Sequence, residues 1–156
     1  MFAFAFALAF HTLAAVIWVG GMFFAHLALR PAVAALPPAE RLALWRRVLP
    51  RFFAWVWGSI AVLLASGYGV LLLGYRGGLG GGGIHIDIMQ ATGSLMMVLF
   101  AYLFFAPWQA FKRAMAASEL AEAIGALARI RLIVTINLAL GLFTAAIGST
   151  GALWAY

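Results

Sequence analysis

The sequence predicts an all-α protein, an integral membrane bundle of four transmembrane helices. Three observations carry that expectation. Four apolar runs are each long enough to cross a bilayer, which takes about 20 residues. Charged residues make up 9% of the 156 residues and mean hydropathy is +1.08, whereas a soluble domain carries roughly 25% charged residues. Nine of the ten basic residues also fall in alternate connections between the runs.

The first run covers about residues 2–29, with no charge before Arg30. Its opening Phe-Ala alternation has the period of a strand, but unbroken apolarity over this length argues for a helix. It lacks a basic leading region and is too long for a signal-peptide core, so it reads as a retained span. The next connection contains Pro31 and Pro37-Pro38. Within it, residues 40–49 read as a short interfacial helix with Leu42, Trp45 and Leu49 inward and the arginines solvated. Pro50 is expected to break or kink the chain before the second run, at about residues 52–75. Residues 77–83, all glycine except Leu79, form a low-complexity connector. The third run covers about residues 86–111, with Asp87 at its entry, and the fourth about residues 132–154. Between them, the Ala-rich residues 114–128 read as a helical extension of one or the other. One transmembrane domain thus covers residues 1–156. Small residues four apart (Ala61, Ala65 and Gly69; Gly141, Ala145 and Ser149) mark expected seams of close helix approach. The oligomeric state is not legible.

Arg30, Arg41, Arg46, Arg47 and Arg51 lie between runs one and two, and Lys112, Arg113, Arg129 and Arg131 between runs three and four. Only Arg76 lies on the other side. The positive-inside rule then directs both termini outward, toward the periplasm for a protein of the bacterial inner membrane. The net charge of +6 points to acidic lipid headgroups and not to nucleic acid, because the basic residues flank apolar runs. The absence of cysteine excludes disulfides, thiolate metal sites and iron–sulfur clusters. The glycine run is not followed by Lys-Ser/Thr, and there is no His-Glu-x-x-His. No carboxylate pair lies within a run, which argues against a proton-driven pump.

The polar residues inside the runs carry the functional expectations. Ionisable side chains in a membrane are costly and tend to face a protein interior or a ligand. His11 lies about two turns into the first run, on a stripe with Ala15, Trp18 and Met22. His26 falls near that stripe, about 22 Å further along at 1.5 Å per residue, so the two serve opposite ends. His85 and Met89 are an i, i+4 pair at the outer start of the third run, with Met96 and Met97 deeper. Imidazole and thioether suit copper, and thioether favours Cu(I). Imidazole is also the usual axial ligand of haem, and methionine can be one. His11, His85 and Met89 fall at one expected depth and form the candidate metal set. The competing reading makes the histidines structural hydrogen-bonding groups, and Trp18 and the methionines packing.

His11-x6-Trp18-Val-Gly20-Gly21 resembles the first-helix signature of the copper-resistance protein D (CopD) family. Arg51-Phe52-Phe53, followed by an apolar run and Ser66-Gly67, resembles that family's second helix. His85-x3-Met89-x3-Gly93-x2-Met96-Met97 and Arg129-Ile-Arg131-Leu-Ile-Val-x-x-Asn137-Leu-x-Leu-Gly141 resemble its small stand-alone members. The likeness covers nearly the whole chain and implies an inner-membrane protein of copper uptake or tolerance. The first-helix pattern is also similar to the HemJ-type membrane proteins, which bind haem b, and this implies His11 as a haem ligand. Three expectations follow. In the first, copper is bound near the outer face by His11, His85 and Met89. In the second, a haem b protein oxidises a porphyrinogen or quinol. His11 is then one axial ligand and His85 or Met89 the other, Arg76 pairs with a propionate, and Trp18 joins the cofactor-binding set. The third is a non-catalytic membrane scaffold.

Overall fold

A computed structural model of the chain describes residues 2–74 and 83–154. Four of its helical stretches, Phe2–Ala32, Pro38–Leu72, Ile84–Ala116 and Leu120–Thr150, are long and apolar enough to cross a membrane. The chain is therefore a multi-pass membrane protein. In chain order the elements are α1 (Phe2–Phe23), a π-helical segment (Phe24–Leu29), α2 (Arg30–Ala32), α3 (Pro38–Gly74), α4 (Ile84–Phe105), α5 (Pro107–Ala116), α6 (Leu120–Thr150) and a closing 3-10 turn (Gly151–Leu153). Arg76 and most of the glycine connector lie outside the described residues.

The break expected at Pro50 is absent, and α3 runs through it. Proline removes a helical hydrogen bond and crowds the preceding turn. Here packing outweighs that cost. Leu42, Trp45, Leu49, Phe53, Val56 and Ile60 are buried, three or four residues apart, so one inward stripe continues on both sides of the proline. Leu42, Trp45 and Leu49 do point inward as expected, but on the first turns of a spanning helix and not on a separate interfacial one.

The third span, by contrast, is interrupted where no break was expected. Residues before proline are pushed out of helical geometry, and Ala106, before Pro107, sits at φ −116° and ψ −77°. Gln109 Nε2 donates to the Phe104 carbonyl at 2.9 Å, satisfying one acceptor freed at the end of α4. The Ala-rich stretch then divides: α5 ends at Ala116, and α6 begins at Leu120, well before residue 132. Ser118 turns the chain with φ 59°, and the Glu119 N–H donates to the Ala114 carbonyl at 2.9 Å, which caps α5.

The connections at 33–37 and 117–119 lie at one end of the bundle with most of the arginines. We call this the basic end, and the opposite one the terminal end. α1 packs antiparallel to α3, with Gly21 against Phe52 and Gly67 against His11. α6 packs on α4, α5 and α1, and touches α3 and the π-helical segment more lightly. α3 and α4 are joined instead by large rings. Phe53 meets Phe100 at 5.6 Å, Phe104 at 6.1 Å and Trp108 at 5.5 Å edge to face, and Trp57 meets Phe100 at 5.2 Å. This aromatic cluster fills the basic half. Of the expected small-residue seams only Gly141 is buried; Ala61, Ala65, Ala145 and Ser149 are exposed. The close approaches fall at glycines where a neighbour's side chain sits.

Phe53 is 1% exposed and touches four other rings. Phe53→Ala should lower stability in detergent by about 3 kcal/mol, whereas Pro50→Ala should raise it by up to about 3 kcal/mol. Thermal unfolding followed by circular dichroism checks both.

Candidate functional site

His11 projects from α1 toward α3, on the side that carries buried Ala14, Trp18 and Met22 further along. Its ring rests on Gly67: a Cβ there would stand 3.1 Å from His11 Cε1. His11 Nδ1 lies 3.0 Å from Ser66 Oγ, and that hydroxyl donates to the Val62 carbonyl at 2.6 Å. A serine hydroxyl has one proton. With that proton given to Val62, the His11 Nδ1–H is the donor to Ser66. The Nε2 lone pair is then the group that His11 presents for ligation or proton acceptance.

His26 repeats the arrangement at the basic end. Its Nδ1 lies 3.3 Å from Thr135 Oγ1 on α6, and Thr135 donates to the Arg131 carbonyl at 2.8 Å. His26 sits in the π-helical segment, a geometry frequent at functional positions. The two histidines of the first span are thus held by the same hydrogen-bond grammar on two different neighbours.

His85 and Met89 share a face of α4, as their spacing predicts, and that face is turned to α6. His85 packs on Gly151 and Met89 on Gly148, where a Cβ would stand 3.3 Å from Met89 Sδ. The His85 ring meets Trp154 at 6.3 Å. One turn deeper, Thr144 of α6 donates to Thr92 of α4 at 2.7 Å. His11 therefore belongs to the α1–α3 seam and His85 and Met89 to the α4–α6 seam. Among the described residues no group of three or more His, Cys, Asp or Glu stands together to hold a metal ion. The expected donors are thus divided: one oriented imidazole on α1, and an imidazole–thioether pair on α4.

The other expected site residues resolve differently. Trp18 is 2% exposed and meets Phe100 at 6.1 Å, so its place is in the core. Arg76, and with it any pairing to Asp87 or a propionate, lies outside the described residues. Periodicity alone missed Ser66 and Gly67 as partners of His11, because nothing local to α3 says which face meets a histidine. It also missed Asn137. That residue is 2% exposed; its Nδ2 donates to the Met96 carbonyl at 3.1 Å, and its Oδ1 has no partner.

Comparison of the chain with protein-family models, with curated proteins and with solved structures gives no match.

The His11 geometry makes a direct prediction. In ¹⁵N NMR of labelled protein, His11 should show the Nδ1–H tautomer. Ser66→Ala should shift it toward a mixture of tautomers, because the acceptor at Nδ1 is lost, while the His85 signals stay in place.

Proposed function

We propose that the chain is a CopD-like membrane protein that binds Cu(I) at its terminal end. The observation that supports this best is the chain His11 Nδ1–H to Ser66 to the Val62 carbonyl. Metal-bound histidines characteristically donate their second ring N–H to a fixed acceptor, which sets the tautomer and strengthens the ligand. His11 has such an arrangement in a half-buried position inside a membrane span. His85 and Met89 supply the nitrogen and soft sulfur donors that favour Cu(I). In this reading the terminal end faces the periplasm and the basic end the cytoplasm of a bacterial inner membrane, and the protein serves copper uptake or tolerance.

A second reading is supported by the separation of the two seams. A haem b needs only one imidazole from α1 as an axial ligand, and His11 stands alone on its seam. The protein would then be a membrane oxidoreductase.

The deciding experiment is purification in mild detergent. It is followed by an oxidised and a dithionite-reduced absorption spectrum, and by Cu(I) titration against a colorimetric chelator. Under the copper reading the spectrum is featureless. His85→Ala and Met89→Ala then each weaken Cu(I) binding at the α4–α6 seam by more than about tenfold, while His11→Ala does so at the α1–α3 seam and Ser66→Ala weakens it there by about tenfold. Unchanged Cu(I) affinity in all the ligand variants overturns it. Sharp Soret and α bands that vanish in His11→Ala establish the haem reading instead. Because the chain has no cysteine, Ser118→Cys should react with a membrane-impermeant thiol reagent only from the cytoplasmic side.

A further inference from the structure

A second polar cluster, at the basic end, is unused by the proposed metal chemistry. Trp45 of α3 is 4% exposed, yet its indole N–H has no acceptor. Arg131 of α6 lies with its guanidinium 5.8 Å from the Trp45 ring centroid, and its Nε–H is likewise buried without an acceptor. Both residues line one small cavity of about 30 Å³, together with His26 and Arg30. No carboxylate lines it, and the cationic groups of Arg30 and Arg41 act on Arg131 from nearby.

Two buried donors without acceptors are costly, because each has left water without gaining a hydrogen bond in return. Because both residues line the same space, one acceptor held there can serve both donors. The surrounding charge selects what kind. A water accepts both bonds but brings two protons of its own into a positive pocket; an anionic oxygen accepts without adding a donor. A cavity of this size admits about one oxygen atom. The rest of the ligand must therefore stay outside, in the headgroup layer, within reach of Arg30 and Arg41. Arginine forks match phosphate oxygens well.

We propose that Trp45, Arg131 and Arg30 form a specific site for a phosphate-type anion at the basic end, entered by one of its oxygens. Two sources share that chemistry: the phosphodiester of an anionic phospholipid, and free inorganic phosphate. Basic pockets between membrane helices hold acidic headgroups in this way. The site does not depend on the metal reading, and its test needs no metal.

The test is native mass spectrometry of the intact protein in detergent with equal amounts of phosphatidylglycerol and phosphatidylcholine, paired with thermal unfolding in the presence of inorganic phosphate. A lipid site retains one phosphatidylglycerol in preference to phosphatidylcholine. Trp45→Phe keeps an aromatic ring but removes the N–H, and should reduce that retention by about tenfold; Arg131→Gln should do the same. A free-phosphate site shows no lipid preference, and inorganic phosphate then stabilises the wild type but not Trp45→Phe. The proposal is overturned if the wild type neither prefers phosphatidylglycerol nor responds to phosphate. It is equally overturned if folded Trp45→Phe behaves as the wild type does. The wild-type lipid comparison decides even if both variants fail to fold.

Discussion

A polar atom carried into lipid must find its partner inside the protein, and this constraint organises the bundle. Lipid tails are as apolar as leucine, so burying leucine between helices gains little there, while an unpaired donor or acceptor is expensive. The polar ties between helices follow from it. Ser66 accepts from the His11 Nδ1–H, Thr135 accepts from that of His26, Thr144 donates to Thr92, and Asn137 donates to the Met96 carbonyl. All four of these hydroxyls also bond their own helix: Ser66 to Val62, Thr135 to Arg131, Thr92 to Ile88, and Thr144 to Leu140. Ser66, Thr135 and Thr92 thus give their one proton to their own backbone and accept from the neighbouring helix, while Thr144 shares its proton between Leu140 and Thr92. For the histidines this fixes the tautomer as well as the position.

The same constraint singles out the atoms where it is not met. Trp45 Nε1, Arg131 Nε and Asn137 Oδ1 are buried without partners. Trp45 and Arg131 both line a common cavity at the basic end, whereas Asn137 lies in the α4–α6 seam. Donors paired with donors in a positive setting ask for an anion. A lone acceptor beside a satisfied amide asks for a single donor, such as a water. The chemistry of the missing partner therefore differs between the two places, although the cost of leaving it out is of the same kind.

Packing divides the molecule along its length. In the basic half, rings from α1, α3, α4 and α5 interlock around Phe53 and Phe100. In the terminal half the buried residues thin out, and glycines receive the chemically capable side chains: Gly67 beneath His11, Gly148 beneath Met89, and Gly151 beneath His85. The aromatic half thus positions the helices, while in the terminal half glycines leave room for the His11, His85 and Met89 side chains.

The sequence by itself determined the four apolar helices, their alternation, the concentration of positive charge at one end, and the shared face of His85 and Met89. These properties depend only on residue order and helix period. Tertiary structure alone decided the rest. Pro50 is carried through α3 because a buried stripe runs on both sides of it, whereas Ala106 and Pro107 break the third span, where Gln109 is at hand to cap the freed Phe104 carbonyl. A common depth suggested that His11, His85 and Met89 form one group. Depth along a helix fixes height but not azimuth relative to the neighbours, and the fold turns His11 to α3 and the other two to α6. The meeting of Trp45 and Arg131, 86 positions apart in the chain, has the same origin: only the docking of α3 against α6 brings two donors to one cavity, and no local pattern in either helix announces it.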